Sequence, residues 1–201
     1  LTIPEFLKQT ASNTPVPGGG SVAALSAAVA ASLVEMVAHL TIGKKGLEAA
    51  VDEMKAIVSM ASGYRETILN DIDRDSDAFN QVMAAFRLPK KTEEEVKERH
   101  LAIQEGLKTA ALVPLSVAQK AFRIMKMAGT VVIKGNQNAV TDGVVAAMMA
   151  RTAVLSALYN VKINLTSIED NAFVKEVDQK VKKLETETEL KENEIRLHVI
   201  L

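Results

Sequence analysis

At 201 residues the chain is long enough to bury a core of its own and short enough for a single domain, 1–201. Hydrophobic residues make up 48% and charged residues 24%, with a net charge of −1, a balance that gives neither nucleic acid nor a membrane surface an electrostatic foothold. There is no cysteine, which excludes disulfides, thiolate metal sites and a Cys nucleophile and fits a reducing, cytoplasmic compartment.

Aromatic content is 3% with no Trp, so the core must come from Ala, Val, Leu, Ile and Met. The first predicted helix runs from about Ile3 to Ser12, with Thr2 and Glu5 spaced as a capping box and Pro4 in the first turn. Asn13–Gly20 is a loop of prolines and glycines. A second helix follows from about Gly20 to Ile42, small and apolar on most faces, as a central helix is. Its apolar run Val22–Val34 is about 13 residues long, short of the roughly 20 needed to span a bilayer, and predicts a helix buried in protein.

Gly43-Lys-Lys-Gly46 breaks the pattern. A third helix is expected from Leu47 to Phe86, ended by Leu88-Pro89. Thr92 and Glu95 form a second capping box, opening a fourth helix to about Ala128 in which Pro114 should produce a kink. Gly129–Thr141 is expected to be a loop with a short β-like run, Val131–Ile133. A fifth helix is predicted from Asp142 to Leu165, and a charged sixth from Asn171 to Leu201. The sum is an all-α bundle of long, mostly antiparallel helices.

Three stretches invite chemistry. "PGGGS", Pro17–Ser21, opens the second helix, and helix N-termini carry free N–H groups and positive dipole charge. Gly18, Gly19 and Gly20 there can let a ligand approach the backbone, with Ser21 adding a hydroxyl, or can simply serve a tight turn. The spacing matches neither a P-loop nor a dinucleotide fingerprint. In "KGNQNAVTD", Asn136, Asn138 and Asp142 offer polar edges before another helix, or are turn residues and a cap.

The third is "NDIDRDSDAF", where Asp71, Asp73, Asp75 and Asp77 crowd one helical stretch. Aspartate is unfavourable inside a helix, so the run is either a solvated acidic face or contains a carboxylate turned into a pocket for proton transfer. His39 lies in the apolar second helix and is expected to be a core residue, while His100 and His198 are expected to face water. The three histidines make no zinc-binding pair.

Taken together, "TPVPGGGSVAA", "LTIGKK", "DIDRDSDAF" with "AAFRLPK", "GNQNAVTDGVVAA" and "YNVKINL" resemble the cyclodeaminase family, in order from about Ile3 to Leu165. That family includes the C-terminal domain of formiminotransferase-cyclodeaminase, stand-alone formimidoyltetrahydrofolate cyclodeaminases and methenyltetrahydrofolate cyclohydrolases. The resemblance implies an all-α homodimer or larger assembly, a tetrahydrofolate substrate, no metal, no cofactor beyond that folate, and a formiminotransferase among its partners. It places the catalytic aspartate on Asp75 and folate contacts on Gly18, Gly19, Gly20 and Ser21. Asn136, Asn138 and Asp142 match the second loop motif, and Lys44 and Lys45 are candidates to attract the glutamate tail. Asn160 and Asn164 share a helix face, where an interhelical hydrogen bond is an equally good account of them. The expected activity is closure of 5-formiminotetrahydrofolate to 5,10-methenyltetrahydrofolate with loss of ammonia. The alternatives are cyclohydrolase activity on the same ring, or folate binding without turnover.

Overall fold

A computed structural model describes residues 2–199. Six α-helices follow in order: α1 (Ile3–Thr10), α2 (Gly19–Thr41), α3 (Val51–Phe86), α4 (Glu93–Lys134), α5 (Val140–Leu165) and α6 (Asn171–Leu197). Single 3₁₀ turns, Glu48–Ala50 and Gln137–Ala139, lead into α3 and α5. No strand occurs among the described residues.

Polar cross-links fix the directions. Early residues of α2 meet late residues of α3, as Ser21 does Asp75 and Glu35 does Arg65. Asp71 and Glu53 on α3 pair with Lys120 and Lys134 on α4. Asn164 on α5 bonds to Ala110 on α4, and Lys162 and Arg151 on α5 pair with Glu185 and Glu192 on α6. Every successive pair from α2 to α6 is therefore antiparallel, as the sequence predicts.

Helix α2 packs against α3, α4 and α5. Its inward residues are almost all alanine (Ala23, Ala24, Ala27, Ala28, Ala30, Ala31 and Ala38), with Val34 and Val37 between them. Without longer side chains, neighbouring backbones come close and the methyl groups carry the contact. By length and composition alone, α2 and the stretch Gln137–Leu165 are each apolar enough to cross a bilayer. In α2, however, 61% of the apolar window is already buried inside the protein.

Both capping boxes form: Glu5 N–H reaches Thr2 Oγ1 and Glu95 N–H reaches Thr92 Oγ1. Differences from expectation lie at boundaries. The predicted loop from Gly129 begins only at Gly135, because α4 continues through the β-like run to Lys134. Val131 and Val132 are each 1% exposed on the inward face of α4, and burial there outweighs the strand preference of β-branched residues. α3 starts at Val51 rather than Leu47, behind Gly46 with φ +88° and the 3₁₀ turn. α6 ends at Leu197, and the final residues of the helix expected to Leu201 lie outside the described residues.

Pro114 leaves α4 continuous. It removes the N–H that would bond the carbonyl of Ala110. Asn164 Nδ2 supplies that bond from α5 at 2.9 Å. The proline thus creates an acceptor for an interhelical link.

Candidate active site

The site begins with a missing cap. Helix α2 has Gly18 at its N-cap, which has no side chain to satisfy the free N–H groups of the first turn. An acceptor arrives from α3 instead. Ser21 Oγ donates to Asp75 Oδ2 at 2.9 Å, and the Ser21 backbone N–H reaches the same carboxylate. Asp75 therefore caps α2 from a neighbouring helix.

Gly20 makes room for it: a Cβ there would overlap the Asp75 carboxylate. Gly19 does the same for a second side chain, since its Cβ would lie 3.2 Å from Nδ2 of Asn160 on α5. Two of the three glycines thus let an acid and an amide converge on one helix end. This is a more specific use than either a turn or open backbone.

Beside this end lies a cavity of about 380 Å³, within the usual range for small-molecule sites. Its polar end holds Gly18, Gly19, Gly20, Asp75, Asn160 and Asn164. Its apolar side carries Phe79, Val82, Met83 and Phe86, which recur at helical spacing along α3, with Val16 and Ile163 opposite. Arg99 of α4 lies 5.7 Å from the Phe86 ring centroid and donates through Nη2 to the Phe86 carbonyl at 3.1 Å, fixing the outer end of this row.

Burial pushes the Asp75 carboxyl above the ordinary carboxylate value, and the Ser21 hydroxyl and N–H partly oppose the rise. A carboxyl held higher than usual in a cavity is equipped to give and take protons. The other aspartates divide. Asp73 and Asp77 are exposed. Asp71 is fully buried one turn before Asp75, and is paired with Lys120 at 2.6 Å and Arg74 at 2.7 Å. The crowded acidic run is thus part solvated face, part internal ion pair and part pocket.

Ser21 was expected to touch ligand, but it is completely buried and its hydroxyl is turned to Asp75, so its place is behind the carboxylate. Lys44, Lys45, Asn136, Asn138 and Asp142 do not join Asp75. They lie at the other end of α2 and the start of α5, and the 23 residues of α2 separate the two ends by about 34 Å. There Asn136 receives hydrogen bonds on Oδ1 from Lys44 Nζ and the Asn138 N–H, and its Nδ2 donates to Leu40 O at 3.1 Å. Its backbone N–H donates to Thr41 Oγ1 at 2.9 Å. The second loop is accordingly a clasp tying the end of α4 to the end of α2. Lys45 and Asn138 are exposed, and Asp142 sits half-buried in the first turn of α5.

His39 is exposed rather than buried, because it falls on the outward row of α2, where its Nε2 lies 3.9 Å from Glu35. His100 and His198 face solvent as expected. Among the described residues no three His, Cys, Asp or Glu side chains gather as metal ligands. The pocket roles of Asn160, Phe79 and Phe86 lay beyond the sequence reading. For the phenylalanines the legible signal was their seven-residue spacing after the acidic run.

Comparison with known proteins places the chain and its fold. A family model described as formiminotransferase-cyclodeaminase matches residues 2–183. The chain is 42% identical over 175 residues to a methenyltetrahydrofolate cyclohydrolase of Methylorubrum extorquens, covering 87% of this chain and 84% of that protein. It is 36% identical over 179 residues to the formimidoyltransferase-cyclodeaminase of Gallus gallus, covering 89% of this chain but only 33% of that longer protein. The crystal structure of formiminotetrahydrofolate cyclodeaminase from Thermotoga maritima superposes with a TM-score of 0.89 at 30% identity, over 98% of this chain and 95% of that one.

Proposed function

The chain belongs to the formiminotransferase-cyclodeaminase family, and on that premise we propose that it is a formimidoyltetrahydrofolate cyclodeaminase with Asp75 as its proton carrier. The observation that carries the reading is the Asp75 carboxyl, its pKa raised by burial, facing a cavity with one polar end and one apolar side.

In 5-formiminotetrahydrofolate, the nitrogen at position 10 attacks the formimino carbon and closes a five-membered ring. The formimino group reacts as its protonated amidine cation; the attacking nitrogen gives up a proton, the departing nitrogen takes one up, and ammonia leaves the 5,10-methenyltetrahydrofolate cation behind. Both reacting atoms belong to one molecule, so holding them in contact removes much of the barrier. The rest is proton transfer, for which one placed carboxylate contributes about 10²–10⁴-fold. Asp75 accepts the first proton and returns it to the leaving nitrogen. Gly18, Gly19 and Gly20, at the first turn of α2, line the same cavity, and their bare backbone suits the polar edge of the pterin. Phe79 and Phe86 suit the aromatic ring that follows position 10.

A second reading is methenyltetrahydrofolate cyclohydrolase, favoured by the 42% identity to the Methylorubrum extorquens enzyme. There Asp75 deprotonates a water that adds to the ring carbon. Both reactions use the same pocket and the same proton carrier.

The reading includes a homodimer and a cytoplasmic location. Val22, Val29, Met36 and Leu40 on α2, with Val145, Met148, Tyr159 and Ile163 on α5, form exposed apolar rows on two adjacent helices. A second copy laid antiparallel across them would cover both rows and bring its own Lys44 and Lys45 toward the Asp75 end. Tetrahydrofolate itself is the only cofactor in this reading, and a formiminotransferase supplies the formimino substrate.

The deciding experiment incubates the purified protein with 5-formiminotetrahydrofolate and, separately, with 5,10-methenyltetrahydrofolate, following the methenyl absorbance. A rise with ammonia release supports the cyclodeaminase. An accelerated fall with the second substrate supports the cyclohydrolase. No change in either assay removes both readings.

A further inference from the structure

Two side chains converge on the start of α2, and so far only Asp75 has been given chemistry. Asn160 stands beside it on α5. Its Nδ2 donates to the carbonyl of Ser156 at 2.9 Å, which fixes the amide orientation and leaves Oδ1 as its open acceptor. Among the described residues no donor reaches that Oδ1, although Asn160 lines the cavity with Asp75 and lies against Gly19. Asn164, one turn further along, differs: its Nδ2 is shared between Ala110 O at 2.9 Å and Asn160 O at 2.8 Å, which locks it into the seam between α4 and α5.

A glycine at position 19 adds to the argument. A helix start accepts many residues, yet here a side chain would press on the Asn160 amide at 3.2 Å. Asn160 and Asp75 therefore line one cavity from adjoining positions of the same helix start.

We propose that Asn160 is a second substrate-touching residue, whose Oδ1 accepts a hydrogen bond from the group that leaves or enters at the reacting carbon. The proposal rests on the folate reading above and names the partner of Asp75 within it. In ring closure, the N10–C bond forms as the N10 proton passes to Asp75. The formimino group enters as its amidine cation, so its nitrogen already carries two hydrogens and becomes an amino group on a tetrahedral carbon. Asp75 then returns the proton to that nitrogen, the C–N bond breaks, and ammonia departs, leaving the methenyl cation. The nitrogen gains a third N–H bond and, as it prepares to leave, holds by itself the positive charge that the amidine cation had shared with N5, so a fixed acceptor such as Oδ1 binds it more strongly in the transition state than in the ground state. In the hydrolytic direction, Oδ1 would hold one O–H of the attacking water while Asp75 takes the other proton.

The test compares wild type with Asn160→Leu and Asn160→Asp on whichever of the two substrates the wild type converts, with thermal melting of each protein. Asn160→Leu is expected to lower kcat about tenfold or more with KM changed less than about threefold. Asn160→Asp keeps an acceptor but places a second carboxylate on the cavity, so its activity is expected to exceed that of Asn160→Leu and its acidic pH limb to move upward. Wild-type kcat in Asn160→Leu overturns the proposal, as does a loss confined to KM. If Asn160→Leu does not fold, an unshifted pH limb in Asn160→Asp overturns it. A wild type inactive on both substrates fails the folate reading and the proposal with it, whereas an active wild type with an unaffected variant fails the proposal alone.

Discussion

Ser21 Oγ and Asp75 Oδ2 are 2.9 Å apart, and this bond joins the first turn of α2 to the later half of α3. One carboxylate is thereby both the end-cap of one helix and the polar centre of the cavity. Its two neighbours in that role, Gly20 and Ser21, are adjacent in the chain.

Replacing Asp75 with Asn keeps the shape and the bond from Ser21 but removes the proton carrier. Turnover of the active substrate is expected to fall about 10²-fold or more with the helical circular dichroism spectrum unchanged. Near wild-type turnover would take Asp75 out of the chemistry.

The raised pKa of Asp75 fixes the sign of two pH effects. As a base it must be ionised, so the rate is expected to fall on acidification with a midpoint above the ordinary ~3.9 of aspartate. Ser21→Ala removes a bond that favours the ionised form and should move that midpoint higher still. A midpoint that stays or drops in Ser21→Ala would contradict the arrangement. For stability, a raised folded value means that the protonated form favours the fold. That contribution is complete below about 3.9 and is lost as pH rises through the raised value. Asp75→Asn, neutral throughout, should therefore gain in Tm relative to wild type across that window.

The glycines should not be equivalent. Gly20→Ala drives a methyl group into the Asp75 carboxylate and is expected to cost about 10²-fold in turnover through misplacement. Gly19→Ala meets the Asn160 amide at 3.2 Å, where a small shift suffices, so the loss should be clearly smaller. Steady-state kinetics on the two variants side by side tests the order.

Asn164→Ala removes the donor to Ala110 O, a carbonyl that Pro114 has already deprived of its helical partner. The expected cost is about 1–3 kcal/mol, that of a carbonyl left without a partner. In a Pro114→Ala background the helix supplies its own N–H, so the cost of Asn164→Ala should shrink. Denaturant unfolding of the four proteins in this cycle measures the coupling, and additive effects would refute it.

Much of the fold was legible because it is written in local signals. Thr2 with Glu5 and Thr92 with Glu95 mark helix starts that form as their spacing requires. The long helices follow from apolar periodicity. Where the reading failed, tertiary contact prevailed over local preference. Val131 and Val132 look like strand and are helix, because their side of α4 is buried. The candidate site was half legible. Asp75 and the glycines, singled out by their motifs, line one cavity, but the sequence does not say that Gly19 and Gly20 are small for the sake of side chains 141 and 55 positions further along, Asn160 and Asp75. Nor does any sequence pattern say that Asp71 is enclosed by Lys120 from another helix while Asp73 and Asp77 are not. Within one chain the length of α2 keeps Lys44 and Asn136 away from the pocket, a distance that sequence order alone does not give.

The alanine face of α2 has a consequence for how this protein can change over time. Ala24, Ala27 and Ala31 are fully buried, so a larger residue at any of them must push neighbouring helices or side chains aside. Drift at those positions is closed off, and tolerated variation must collect on the outward rows of α2 and α5. Engineering for heat resistance meets the same boundary along α2: improvement would come from the outside of the bundle, since the inward face of this helix is already filled with alanine.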